Sequence, residues 1–186
     1  MALGGGGFTA QNKVLPGAYV NFVSAASASA ELSDRGIATM PLELDWGIEG
    51  EVFTVTNEDF QKNSQKIFGY AFDNDKMKGL RDLFIGVKTL HAYRLNGGGV
   101  KASNTFATAL YSGIRGNYLK IVIHVNPDNV EKFDVITYLG TNKVDTQTVT
   151  SATELVANDY VTFKSAAVLA VTASTPLIGG TNGTVD

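Results

Sequence analysis

From residue 101 onward the chain is a succession of short apolar, β-branched runs, and their spacing constrains the fold more than any other feature. The runs cover residues 101–111, 119–125, 133–139, 144–149 and 160–163. Between them lie Ser112-Gly113-Ile114-Arg115-Gly116-Asn117, Asn126-Pro127-Asp128-Asn129 and Gly140-Thr141-Asn142. Glycine, asparagine and proline supply the backbone conformations of turns, whereas β-branched side chains lose rotamer freedom in a helix and pack well on a pleated sheet. Strands at this spacing argue for an antiparallel sandwich or an open barrel. In Leu119-Lys120-Ile121-Val122-Ile123-His124-Val125 every odd position is apolar, so the odd side chains are expected to face the core.

The preceding third of the chain has a different period. Residues 36–46 alternate in two short pieces broken at Pro41, with Leu42, Leu44 and Trp46 on one side and Glu43 and Asp45 on the other if the second piece is a strand. After a brief extended step over 52–55, Thr56-Asn57-Glu58-Asp59 has the form of a capping box. Phe60, Ser64, Ile67 and Phe68 then fall on one stripe of a helix that Gly69 closes. A second helix is expected over 75–85, with Met77, Leu80, Leu83, Phe84 and Val87 on one side; Gly79 weakens it by about 1 kcal/mol relative to alanine. A strand over 89–95 stops at the turn dipeptide Asn96-Gly97. Residues 153–159 read equally as a turn or as one helical turn.

Near the start, Val14, Leu15, Pro16, Gly17, Ala18, Tyr19, Val20, Asn21, Phe22 and Val23 form an isolated amphipathic strand pattern. Gly4 to Gly7 precede it and a run of the small residues serine and alanine over 24–30 follows, both too poor in apolar bulk to pack. From pattern alone this is either an arm that completes a sheet elsewhere or an ordinary first strand with a frayed end. The expected fold class is therefore α+β: an N-terminal arm and tether over 1–30, a small mixed α/β layer over 31–95, a β-rich sandwich or barrel-like module over 96–178, and a Gly-rich exit linker over 179–186.

Composition narrows the function. The 44% apolar content of these 186 residues can fill a core, and the absence of cysteine excludes disulfides, thiolate zinc sites and thiol nucleophiles. A formal net charge of -3 argues against nucleic-acid binding, which needs a dense cationic face. No run approaches the roughly 18 unbroken apolar residues of a membrane span, and the first segment lacks the pattern of an export signal.

A search for chemistry leaves little. His91 and His124 stand in separate strands without partners at ligand spacing. Gly97-Gly98-Gly99-Val100-Lys101-Ala102-Ser103 fails as a phosphate loop, because the lysine does not follow the last glycine, and a hairpin turn is expected there. Asp73-Asn74-Asp75 lacks the glycine and distal glutamate of a calcium loop and suits a helix cap. Asn182-Gly183-Thr184 has the pattern of a glycosylation acceptor, which carries no weight without an export signal. The acidic residues Glu43, Asp45, Glu49, Glu51, Glu58 and Asp59 read as a solvated face, or as a face that meets Lys62, Lys66, Lys76, Lys78 and Arg81 of a neighbouring copy. Paired-carboxylate hydrolysis needs a defined separation around a cleft, which sequence spacing does not show. No catalytic residue, cofactor or metal is expected. A different class of function, recognition of a carbohydrate or cell-surface ligand, would use Tyr111, Tyr118, Tyr138 and Tyr160 on a concave face of the β-rich module.

Several stretches together resemble one family, the contractile tail sheath proteins of bacteriophages and of phage-tail-like particles such as R-type bacteriocins, those of Gram-positive hosts above all. They are residues 12–22, Arg35-Gly36-Ile37-Ala38 leading into Pro41-Leu42-Glu43-Leu44-Asp45-Trp46-Gly47, residues 111–117 before a strand, Phe133-Asp134-Val135 before Tyr138, and residues 177–183. The resemblance implies a structural virion protein that forms a helical homo-oligomer of stacked rings around a tail tube protein. It implies baseplate and tail terminator proteins as further partners, with neither nucleic acid nor direct membrane insertion. It also implies assembly in the bacterial cytoplasm, release by lysis, and contraction that drives the tube through the envelope. It assigns residues 14–23 as a strand donated to a neighbouring subunit. Family members continue beyond the Gly-Gly-Thr-Asn-Gly region, so the C-terminal part of the family fold is expected to be absent here.

Overall fold

The computed structural model describes residues 36–185. The first half of this region builds a three-stranded sheet under two helices. Strands β1 (Ile37–Leu42) and β2 (Val52–Thr56) precede α1 (Asn57–Phe68), α2 (Lys78–Gly86) and β3 (Thr89–Arg94). The strand order is β1-β3-β2, with β3 parallel to β1 and antiparallel to β2. Alternation turns Phe53, Val55, Leu90 and Ala92 to one face, where they pack with Phe60, Phe68, Met77, Leu80 and Phe84 from the helical side. The Phe60 ring stacks on Phe84 at 4.8 Å and meets Phe68 edge-on at 6.0 Å. Thr56 caps α1 by accepting from the Asp59 amide at 3.1 Å, and Gly69 ends it in the left-handed conformation. Asn74 caps a 3₁₀ turn, Asp75–Met77, that leads into α2.

Pro41 does not break β1, contrary to expectation. Thr89 and Leu95 donate to the carbonyls of Gly36 and Leu42 at 3.0 and 2.9 Å, so even-numbered residues of β1 face β3. The main chain of Ile37, Thr39 and Pro41 then points to the opposite, unpaired side, where a proline costs no ladder bond. Beyond β1 there is no second strand. Leu44 packs in the layer's core, whereas Trp46, two residues on, joins a different one.

That second core is a β-sandwich. Strands β4 (Asn96–Gly97), β5 (Ala107–Ala109), β6 (Leu119–Val125), β7 (Phe133–Leu139), β8 (Asn142–Val149), β9 (Val161–Phe163), β10 (Thr172–Pro176) and β11 (Thr184–Val185) follow in order. The antiparallel sheet β10-β6-β7-β8 and the pair β5-β9 enclose Trp46, Leu119, Ile121, Ile123, Val135, Leu139, Val149, Val161 and Leu177. The odd positions of β6 face this core as expected except Val125, which is 42% exposed at the hairpin end. The run over 101–111 is strand only at β5, because Asn104 Oδ1 accepts from the amides of Phe106 and Ala107 and turns the chain. Residues 152–154 form a single 3₁₀ turn.

Two expectations at the neck of the sandwich are overturned. The glycines at 97–99 make no hairpin, and residues 179–185 are no free linker. Instead β4 and β11 pair antiparallel, Val100 bridges Thr181, and Ser103 bridges Ile178. The outgoing and returning chains run side by side, so close that a Cβ on Gly183 would overlap the Gly97 carbonyl. Among the described residues no helix is long and apolar enough to cross a membrane.

Candidate assembly site

The ten candidate arm residues, Val14 to Val23, lie outside the described residues. The described residues form a body with a tightly built joint between the two cores and an open groove beside that joint.

The joint is made by residues 43–51, which thread between the cores. Trp46 is fully buried among sandwich residues, edge-on to Tyr111 at 5.3 Å and stacked on Tyr160 at 6.4 Å. Its Nε1 donates back to the Lys66 carbonyl at the end of α1, at 3.1 Å. The Asn96 side chain mimics a strand by accepting from the Leu44 amide and donating to the Leu44 carbonyl, both at 2.8 Å. Beside it Arg94 is 1% exposed and donates to the carbonyls of Gly47 and Ser112 at 3.1 and 3.0 Å. Its Nη2 has no partner among the described residues. Burial pulls the guanidinium below its ordinary value, and Glu49 and Asp45 oppose that. Arg115 lies against the rings of Tyr70 and Tyr118 at 4.7 and 4.8 Å while its Nε donates to the Gly69 carbonyl at 2.7 Å.

Asp45 gathers the remaining links. Its carboxylate accepts from Lys76 Nζ at 2.6 Å, Tyr70 Oη at 2.5 Å and Asn182 Nδ2 at 2.8 Å, and its carbonyl accepts from the Arg115 amide at 3.2 Å. Burial pushes the Asp45 carboxyl up, but the hydrogen bonds from Lys76, Tyr70 and Asn182 outweigh it and hold the group below the usual carboxylate range. The same bond to Asp45 raises Lys76. The groove opens beside this cluster, with a volume of about 520 Å³. Met40, Leu42, Leu44, Phe68, Met77 and Leu80 supply its apolar walls.

This arrangement redistributes the sequence candidates. The cations expected to face a neighbouring copy are largely used within the chain: Lys62 pairs with Glu58, Lys66 with Asp159 and Lys76 with Asp45. Arg81 is spent on the carbonyls of Phe72 and Asn74. The four tyrosines form no common concave face, since Tyr111 and Tyr160 flank Trp46 and Tyr138 lies under Lys120. His91 Nδ1 meets Thr54 Oγ1 at 3.0 Å, His124 is exposed, and the described residues hold no group of three His, Cys, Asp or Glu side chains placed for a metal. Arg94, Asn96 and Asn182 escape sequence reasoning, because each is defined by partners far away in the chain.

Comparison with known proteins gives this body a family. Residues 87–182 match the model of the phage tail sheath protein beta-sandwich domain, and residues 35–95 that of the tail sheath protein Gp18 domain III N-terminal region. The chain belongs to the phage tail sheath protein family. It is 36% identical over 188 residues to the phage-like element PBSX protein XkdK of Bacillus subtilis (strain 168), covering 98% of this chain and 39% of XkdK. The uncharacterized protein YqbK of the same organism is 35% identical over 184 residues, with 95% and 38% covered. Among solved structures, a sheath tail protein of Desulfitobacterium hafniense superposes with a TM-score of 0.73 at 36% identity, covering 91% of this chain and 40% of that one. A sheath tail protein of Listeria innocua gives 0.72 at 34% identity, with 81% and 35% covered. The chain thus spans about two fifths of the length of the curated relatives it matches.

Proposed function

We propose that the chain is a structural subunit, the N-terminal portion, of a contractile tail sheath, and that it performs no catalysis. The observation that carries this reading is the consecutive match of the layer and the sandwich, in chain order, to two domains of tail sheath proteins. On this reading copies stack as a helical sheath around a tail tube, between baseplate and terminator proteins, in a phage tail or a phage-tail-like particle assembled in the bacterial cytoplasm and released by lysis. Residues 14–23 are the arm that joins copies, and 24–30 its tether. Strand donation suits them because backbone pairing gives affinity while alternate side chains fill pockets, and a tether between arm and body lets the bodies move without losing the connection. The joint described above supports contraction as motion between subunits, with the layer and sandwich travelling together.

The test is sedimentation of the whole chain over a range of concentrations, with negative-stain images, beside a variant lacking residues 1–23. Concentration-dependent association that disappears in the variant is the expected result. A variant that associates as the whole chain does removes the arm from the reading, and binding of the chain to a glycan array without self-association replaces the reading altogether.

A further inference from the structure

The four-stranded sheet of the sandwich carries opposite charge at its two ends. Leu119 and Leu139 turn into the core, so Lys120 and Tyr138, paired across β6 and β7, face outward, and Lys143 of β8 pairs with Tyr138. Lys120 Nζ stands 5.3 Å from the Tyr138 ring, and the Arg115 guanidinium 4.8 Å from the ring of Tyr118, which is 57% exposed. Arg115, Lys120 and Lys143 form no ion pair among the described residues. Three uncompensated cations thus alternate with two tyrosines along one strip. The rings restrict the cationic side chains beforehand, so less freedom is lost when an anion arrives.

At the opposite end, about 20 Å along β6, lies the hairpin that joins β6 to β7. Asn126 Oδ1 accepts from the amides of Asp128 and Asn129, Asn129 Oδ1 accepts from the Glu131 amide, and the Asn126 amide donates to the Lys132 carbonyl. These bonds lock a turn that presents Asp128, Val130 and Glu131 to solvent. Neither carboxylate pairs with a cation among the described residues. The cation of the turn, Lys132, lies near Glu154 instead.

We propose that the hairpin tip of one copy docks on the cation–tyrosine strip of the next, Asp128 and Glu131 meeting Arg115, Lys120 and Lys143 while Val130 covers the exposed Tyr118 ring. Charge complementarity selects this occupant, because the same chain carries a rigid acidic tip and an uncompensated cationic strip. The two surfaces lie at opposite ends of one sheet, so the contact is heterologous and propagates from copy to copy. It rests on the sheath reading for its neighbouring copies and acts in addition to the arm. Weak by itself, it forms at the raised local concentration that the arm provides.

The test is sedimentation of the whole 186-residue chain at low salt. Lys120→Glu with Lys143→Glu, and separately Asp128→Lys with Glu131→Lys, are each expected to raise the concentration for half-maximal association about tenfold. All four substitutions together are expected to restore the parent value, and so is an equimolar mixture of the two reversed proteins, in which each reversed strip meets a reversed tip. Lys88→Glu with Lys101→Glu, at exposed positions away from both surfaces, changes the net charge as much as the first pair and is expected to leave association unchanged. Association that resists both reversed pairs overturns the contact and leaves arm-dependent assembly, and with it the sheath reading, intact. An equal loss in the Lys88 and Lys101 control overturns it too, since the effect is then one of net charge, as does failure of both the fourfold variant and the mixture to recover. A parent chain that stays monomeric at every concentration overturns the contact and the sheath reading together.

Discussion

Asn182 donates from its side-chain amide to Asp45 across 137 positions of sequence, at 2.8 Å. The Asn182 Oδ1 meanwhile accepts from the Ile114 amide at 3.0 Å. One asparagine therefore ties the returning neck strand to the layer on one side and to the sandwich on the other. Because Asp45 also holds Lys76 and Tyr70 through its carboxylate and the Arg115 amide through its carbonyl, four separate parts of the chain meet at this one residue. Hydrogen bonds to a charged acceptor are stronger than neutral ones, and the cluster's partial burial limits their competition with water.

Replacing Asp45 by alanine is expected to cost about 2 kcal/mol of unfolding free energy, the scale of hydrogen bonds to an ionised group. Urea denaturation of the whole chain measures it. Asn182→Ala removes only one of the links and is expected to cost about 1 kcal/mol. The double variant should cost less than the sum, because the two side chains share a bond.

The pH dependence follows from the same cluster. The folded Asp45 carboxyl lies below its ordinary value, so the stability it contributes is complete above about pH 4 and is lost as the pH falls through the folded value. Lys76 is raised, so its contribution is complete below about pH 10 and is lost as the pH rises through the folded value. Asp59, Asp134 and Glu154 are also held low by hydrogen bonds, so they share the acid limb. Asp45→Asn is expected to make the acid limb of melting temperature shallower without abolishing it. An unchanged slope between pH 5 and pH 2 would show that Asp45 contributes nothing there.

Trp46 is the side chain on which the sandwich depends most. Truncation to alanine should cost about 3–5 kcal/mol, the range for large aromatic side chains in cores. Trp46→Phe keeps most of the packing between Tyr111 and Tyr160 but loses the bond to the Lys66 carbonyl, and should cost less than half as much. Thermal melts followed by far-ultraviolet circular dichroism distinguish the two, since neither variant retains the indole as a fluorescence reporter.

Local signals made much of this fold legible. Thr56 and Gly69 mark the ends of α1, the stripe of Phe60, Ser64 and Phe68 fixes its buried face, and the turns at 126–129 and 140–142 set β6, β7 and β8. Each signal lies within a few residues of what it determines. The joint was hidden for the opposite reason. Asn96-Gly97 has the composition of a turn, and only residues 181–185 make it a strand. Arg94 continues an alternating strand pattern, and nothing nearby announces that the carbonyls of Gly47 and Ser112 will bury it. β10 consists of Thr172-Ala173-Ser174-Thr175-Pro176, without the apolar β-branched alternation that marks a strand. Among the acidic residues, Glu58 pairs with Lys62 one turn on within α1, a local relationship, whereas the pairing of Asp45 with Lys76 depends on the folded layer.

Gly113 and Gly50 form a matched test of backbone approach. Both have positive φ, at 130° and 80°, but a Cβ on Gly113 would overlap the Asp45 carbonyl oxygen while one on Gly50 meets nothing within 4 Å. Gly50→Ala is expected to cost about 1–2 kcal/mol, the strain of a left-handed alanine. Gly113→Ala must in addition push residues 43–51 away from the sandwich, and is expected to lower the melting temperature at least twice as far. Equal effects of the two substitutions would mean that the approach of Gly113 to Asp45 is not tight.

Arg94 tests whether the two cores unfold as one. Its guanidinium, at the end of β3, reaches the Gly47 carbonyl in the joint and the Ser112 carbonyl in the sandwich, and removing it leaves both buried without a donor. Arg94→Ala is expected to cost about 3 kcal/mol or more, at roughly 1–3 kcal/mol for each buried group left unsatisfied. Arg94→Lys should recover only part of this, since a single ammonium can approach the Gly47 and Ser112 carbonyls that Nη1 serves but cannot also supply the Nε bond to Asn96 Oδ1. The decisive measurement is the shape of the transition. In the native chain, Trp46 fluorescence and far-ultraviolet circular dichroism should trace a single urea transition, because the indole sits in the sandwich core yet is bonded to α1. In Arg94→Ala the two probes are expected to separate, with helical signal lost at lower urea than the fluorescence change. Coincident probes in that variant would mean that Trp46, Asn96 and Asp45 hold the cores together without the arginine.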